Sequence, residues 1–429
     1  MSIDRRNFLK SMAVWLSGAA VWGRGIPVRA AAEMPQSFGG NRLFADVKTY
    51  SDFGVHHAGK EPDRLTSNWQ ADHLTRLGFQ VSRQEFELEQ FFAGEVSLTL
   101  DDGTRIPGAP QVPVTVAPRA ITARLARATE EISELRGAIV IVELETDNTI
   151  DVPDQLAAFA RVWDAGARAI VAVCNHPSGR VQFGNVSEDR ARWPVPLVLV
   201  GRANRAQLLA AVGANVTLRL AGSHRSVTAQ NVQGRLVRGD DWIVVSTPQS
   251  GWTTCAGERG PGIAYFRGLA EYAAGLATGP SWLFTSNSGH ELHDLGARLA
   301  HRAGTLPAPD RTALWLHLGA GIAQRNWEEH DSGITLLDEK ARTVLSCDWS
   351  DSLSMMRHFW GTRTLTVPYQ ILKLGEMREV VGHGYANSLG LVSLQPYHHV
   401  PGDLPETTSP QILETVGRAI FSAVSDSVS

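Results

Sequence analysis

The chain has 429 residues, 43% hydrophobic and 20% charged, with 40 Lys and Arg against 44 Asp and Glu. These values describe an ordinary globular protein with room for two domains and a large core. The acidic excess argues against general nucleic-acid binding. Three cysteines, Cys174, Cys255 and Cys347, permit at most one disulfide, so crosslinks are not the scaffold.

Residues 1–32 read as a targeting segment. "DRRNFLK" places Arg5 and Arg6 ahead of Phe8 and Leu9, a weakly apolar run follows from Ser11 to Gly23, and "VRAAA" supplies small residues for cleavage. This order resembles a twin-arginine export signal. The apolar run is too short and too broken by glycine to span a bilayer, so no stable membrane anchor is expected. The expected product is a periplasmic or secreted protein, exported already folded by the twin-arginine machinery. Without the signal the chain carries 35 basic and 43 acidic residues, a net charge of −8.

The mature chain then divides by texture into 33–118, 119–225 and 226–429. In the first part, "TSNWQADHLTRLGFQVSRQEFEL" (66–88) runs from helix-spaced apolar positions through Gly78 into strand alternation, and "GEVSLTLDDGTRI" predicts a hairpin through Asp102 and Gly103. In the second, "GAIVIVEL", the Ala-rich "DQLAAFARVWDAGARAIVAV" and "VPLVLVGRANRAQLLAAV" predict strands alternating with helices in one small inserted unit. It resembles the protease-associated domain, a β-rich insert of secreted peptidases. A nucleotide-binding unit is the competing reading, but no G-x-G-x-x-G follows any of these strands. In the third, "DWIVVST", "SWLFTSN" and "RTALWLHLGAG" are buried-strand runs separated by "GPGIAYFRGLAEYAAGL" and "LHDLGARLAHRAG", both helical. That predicts an α/β three-layer sandwich with a mostly parallel central sheet and its ligand site beyond the carboxyl ends of the strands.

The turns after those strands hold the chemistry: "STPQSGWTTCAGERGPGIA", "NSGHELHDLGA", "LHLGAG" and "LQPYHHVPGDLPET". Their order resembles the secreted zinc aminopeptidases grouped with bacterial leucyl aminopeptidase, glutamate carboxypeptidase, glutaminyl cyclase and the transferrin receptor, over essentially all of the mature chain. The resemblance places a metal-bridging carboxylate on Glu258, a second carboxylate ligand on Glu291 and a late histidine ligand on His399, with Pro401 and Asp403 in register. The departures are as specific. "TPQSGW" replaces the family's first His-x-Asp, the catalytic base falls on His290, and a later Asp falls on His317. An unaltered dizinc aminopeptidase is therefore not expected.

The leading expectation is a remodelled site for one zinc ion, held by Glu258, Glu291 and His399, with His317 as a fourth ligand. His290 would serve as general base towards water. The reaction expected is hydrolysis of an amide or related acyl bond in a peptide or small molecule; cyclisation, which the resemblance also covers, stays open. A second reading is metal-free: His290 polarised by Glu291 or Asp294, Glu258 and Arg259 holding a charged substrate, and Ser250 or Cys255 as nucleophile, the latter's pKa lowered by the following helix. A third is a binding protein on a decayed peptidase fold. Each residue also has a purely structural reading: a polar turn at a helix start for His290 and Glu291, an internal ion pair for Glu258 and Arg259, a surface loop for His398 and His399. "HELH" is not a thermolysin-like zinc motif, because position 294 is Asp where the second His would be needed. Candidates for substrate contact are His57, Trp252, Cys255 and His383, and His56 and Asp63 sit in the same loop region as His57.

Overall fold

The computed structural model describes residues 33–145, 149–393 and 395–428. Residues 1–32, read above as an export signal, lie outside the described residues. Helices α1 (Gly40–Asp52) and α2 (Glu61–Arg76) lead to Gly78, which takes φ 85°, a left-handed conformation suited to glycine, before the long strand β1 (Gln80–Thr99). Pro62 in the first turn of α2, together with Glu61 and Asp63, suits a helix start. Strand β2 (Arg105–Pro107) closes the expected hairpin with Thr99 opposite Arg105, and β3 (Ala109–Pro110) follows.

A lobe comes next: β4 (Ile121–Arg127), α3 (Ile132–Leu135), β5 (Ile139–Leu144), α4 (Pro153–Asp164), β6 (Ala169–Cys174), β7 (Leu197–Gly201) and α5 (Arg205–Ala210). Its strands β4 to β7 are mutually parallel. Both sheet faces are apolar, Val140, Ile170 and Leu199 on one and Ile141, Val171 and Val198 on the other, which explains why these strands read as unbroken hydrophobic runs.

Strand β8 (Asn215–Leu236) carries the chain back to the body, where β9 (Trp242–Pro248), α6 (Gly260–Gly275), β10 (Ser281–Asn287), α7 (Leu295–Arg302) and β11 (Thr312–Leu318) alternate as expected. Beyond them lie the hairpin β12 (Arg325–His330) and β13 (Gly333–Lys340), then β14 (Thr343–Cys347), α8 (Ser352–His358), β15 (Thr364–Pro368), α9 (Met377–Gly382), β16 (Ser388–Val392) and α10 (Pro410–Val428). The main sheet runs β15-β14-β16-β11-β9-β10-β8 and continues through β8 into the lobe. Pairs β10–β9, β9–β11 and β11–β16 are parallel, and β8 joins β10 antiparallel.

The body's core lies between this sheet and α1, α6 and α10, with Phe38, Leu43, Tyr265, Phe266, Phe284 and Phe421 fully or nearly buried. Each such side chain contributes about 1.5–3 kcal/mol of transfer free energy. Gly262 allows α6 to sit directly on the strand ends: a Cβ there would lie 2.9 Å from both the Leu318 carbonyl oxygen and the Thr247 hydroxyl. That close approach brings the N-terminus of α6 to the carboxyl ends of β9 and β11. Among the described residues, no helix is long and apolar enough to cross a membrane.

Candidate functional site

The turn between β9 and α6 carries Glu258 and Arg259, both buried and ion-paired at 2.8 Å. Asp403 holds this turn in place: its carboxylate accepts the backbone N–H groups of Gly257 at 2.8 Å and Glu258 at 2.9 Å. Burial, and the charge of Glu258, push the Asp403 pKa up to about 7. Arg259 is fixed further by donating its Nε–H to the Ser250 carbonyl oxygen at 3.0 Å. Burial alone would raise the Glu258 pKa, but Arg259, His398 and His399 outweigh it and hold the carboxyl well below the usual range. The internal ion pair anticipated at Glu258 and Arg259 is thus present.

Two imidazoles face that carboxylate. His399 takes φ 59°, a conformation uncommon for a non-glycine residue, and its ring stacks on that of His398 with centroids 4.0 Å apart. Its Nδ1–H donates to the Phe183 carbonyl oxygen at 3.1 Å, which leaves Nε2 as a bare acceptor 3.6 Å from Glu258 Oε1. His398 Nδ1 lies 4.0 Å from the same oxygen. Burial lowers the pKa of both rings, that of His399 strongly. His398 Nδ1 and His399 Nε2 are buried without a hydrogen-bond partner, and the Glu258 oxygens, though Oε1 is ion-paired to Arg259, make no hydrogen bond either. Two imidazole nitrogens facing one carboxylate in a buried space suit a further cation between them. The three donors lie within 4.8 Å of each other, and a carboxylate with two neutral imidazoles is a zinc-type ligand set with a position left open. The Nδ1–H bond of His399 to a backbone carbonyl is the outer-shell partner that orients ligating histidines.

A second group sits on the turn after β10. His290 Nδ1 lies 2.9 Å from Asp294 Oδ1 and 3.4 Å from Glu376 Oε1. Burial and Arg259 oppose protonation of His290, but Asp294 and Glu376 prevail and raise its pKa to about 9. The two carboxylates thus favour the protonated ring, the form that donates a proton. Asp294, at φ 61°, makes no capping bond to α7; its carboxylate takes His290 and, at 3.2 Å, Arg378.

Several anticipated ligands are placed elsewhere. Glu291 does not join Glu258 and His399: it accepts the Ala58 N–H at 2.8 Å and the Ser250 hydroxyl at 2.6 Å. His317 turns its Nδ1 to the Ser246 hydroxyl at 3.0 Å, with Glu376 Oε2 3.9 Å away. Among the described residues two groups could hold a metal ion, Glu258 with His398 and His399, and His290 with Asp294 and Glu376, and neither includes Glu291 or His317. Cys255, proposed as an activated nucleophile, is fully buried at φ 49°, and burial drives its thiol pKa well up, so the helix does not make it a thiolate. Ser250 is also buried, with its hydroxyl engaged by Glu291 and by the Gly289 N–H at 2.7 Å. All three cysteines are free and buried.

Among the substrate candidates, His57 packs edge-on to Trp252 at 5.6 Å, and Trp252 stacks on Phe183, the residue whose carbonyl orients His399. His56 is buried against Tyr50, and Asp63 is buried beneath the site, bonded to Gln249 and Ser288. His383 stands apart, exposed and stacked on His301 at 4.2 Å. Glu376 and His398 were missed as site residues. Nothing in their local sequence distinguishes them, since α9 and the left-handed turn at His399 are tertiary features.

The fold is similar to that of solved zinc aminopeptidases. A zinc aminopeptidase from Bacillus subtilis superposes with a TM-score of 0.72 at 17% identity, covering 92% of this chain and 96% of that one. An aminopeptidase from an Aneurinibacillus strain gives 0.64 at 16% identity over 92% and 95%, and a peptidase precursor from Shewanella amazonensis gives 0.66 at 14% over 90% and 94%. No family model and no curated protein matches the sequence.

Proposed function

We propose that the chain is an exported peptidase-like hydrolase acting on an amide or related acyl bond of a peptide or small molecule, through one metal ion held by Glu258, His398 and His399. The observation that carries this reading is the buried group of one carboxylate and two imidazoles, the ring nitrogens without hydrogen-bond partners, in a fold similar to that of zinc aminopeptidases. Zinc bound there would supply Lewis-acid polarisation of a carbonyl and of water. The protein's own groups do the rest. Arg259 offsets the Glu258 charge, Asp403 fixes the turn that presents Glu258, and Phe183 sets the tautomer of His399. His290, held as an imidazolium by Asp294 and Glu376, is the group that can give a proton to a departing amine. The aromatic wall of His57, Trp252 and Phe183 suits an apolar substrate portion. Residues 119–225 are assigned as a protease-associated-type insert on the same reading.

The test is metal content of the purified protein beside His398→Ala, His399→Ala and Glu291→Ala. About one zinc per chain, lost in both histidine variants and kept in Glu291→Ala, supports the ligand set. Loss in Glu291→Ala with retention in His398→Ala restores the set expected from the family order. The paired carboxylates on His290 favour one alternative, metal-free proton transfer centred on that ring. Hydrolysis that survives chelation and disappears in His290→Gln selects it.

A further inference from the structure

The face of α8 is the least expected surface on the molecule. Trp349, Leu353, Met356 and Trp360 recur at spacings that put them on one side of the helix and its flanking turns, and they are 65%, 74%, 48% and 84% exposed. Met355 and Phe359, from the same segment, are buried in the body's core, so the helix is already anchored and its outer stripe is left exposed by the described residues. The two tryptophans alone leave about 300 Å² of surface open, and the four residues together about 500 Å². Beside them, β15 is the outermost strand of the main sheet and, among the described residues, pairs with β14 alone.

We propose that this face is a two-fold interface between two copies of the chain. Joined by a two-fold axis, the stripes bury about 1,000 Å² before any contact along the β15 edges is counted, which meets the size a specific interface needs. The charges are self-complementary. Asp351 lies at the start of α8 and Arg357, exposed, near its end. In an antiparallel pair of α8 helices, each Asp351 meets the Arg357 of the other copy, and the helix dipoles oppose in the same favourable sense. A lipid surface fits less well. Anionic headgroups would face a chain with a net charge of −4 and two carboxylates at the rim of the patch.

Sedimentation velocity on the full chain, run up to about 100 µM, tests the proposal. The expected result is a species of twice the 46.6 kDa chain mass. Trp360→Asp should raise the dissociation constant about thirtyfold while the monomer keeps the wild-type far-ultraviolet circular dichroism spectrum. Asp351→Arg and Arg357→Asp should each weaken the dimer, and the double charge swap should recover most of the loss. A monomer at every concentration overturns the proposal, as does a Trp360→Asp protein that dimerises like the wild type. Binding of the monomer to neutral phosphatidylcholine vesicles, abolished by Trp360→Asp, would assign the face to lipid instead.

Discussion

Arg259 is the most informative single position, because its charge is the compensation that the described side chains give Glu258 at contact distance. Replacing it with Met leaves a carboxylate that is 0% exposed without its 2.8 Å partner. Breaking a buried pair in this way costs about 3–5 kcal/mol. With an unfolding entropy of about 2.1 cal/mol/K per residue, a compact unit of roughly 400 residues changes its melting temperature by about 1.2 °C per kcal/mol. Arg259→Met should therefore melt about 4–6 °C below the wild type in chelator, measured by scanning calorimetry. Glu258→Gln combined with Arg259→Met removes both charges and should recover at least half of that loss. Zinc added to the single variant should restore stability, since a cation between Glu258, His398 and His399 takes over the missing compensation. If Arg259→Met melts with the wild type in chelator, or the double variant is worse by the sum of its parts, the electrostatic account of this site fails.

Two further outcomes test other parts of the structure. Lys340 is buried, donating to the Thr343 hydroxyl and the Ala341 carbonyl, and burial, reinforced by Arg363, pushes its pKa down to about 7 from 10.5. The folded state then holds fewer protons than the unfolded state between those values, so this group's contribution makes stability rise with pH from about 7 to 10.5, by up to about 1.4 kcal/mol per unit; urea midpoints of Lys340→Met should show a flatter rise, and superimposable profiles would refute the assignment. Cys174, Cys255 and Cys347 are free, and burial raises each thiol's pKa. A thiol-reactive dye should label none of them in the native protein and all three after denaturation, whereas rapid native labelling of Cys255 would revive it as a nucleophile.

The body of the fold was legible because its strands are buried on both faces. "DWIVVST" and "SWLFTSN" have no solvent side, and such runs, broken by helical stretches, leave little choice but a parallel sheet. The segment from Arg325 to Gly382 was not legible: its hairpin strands are half-exposed and its helices α8 and α9 have seven and six residues. That gap hid Glu376. At the site, Glu258 and His399, paired by the order of the turns, lie 3.6 Å apart. Glu291 lies away from them, because the groups that claim its carboxylate, Ala58 N–H and Ser250 Oγ, come from distant segments whose proximity no local pattern encodes. His398 passed for a loop residue because the inward turn depends on a left-handed backbone at His399.

Strand β8 joins lobe and body without an interruption. Its first residues pair with β4, its last with β10, and β1 runs alongside from Gln80 to Thr99 with one irregularity near Ala93. A double ribbon of this length works as a splint. Prising the lobe from the body means shearing a ladder of backbone hydrogen bonds, a far stiffer coordinate than rotation about a linker. The two halves of the molecule therefore keep a fixed spacing, and the rings of His290 and His398 stay the partly exposed groups of the candidate site.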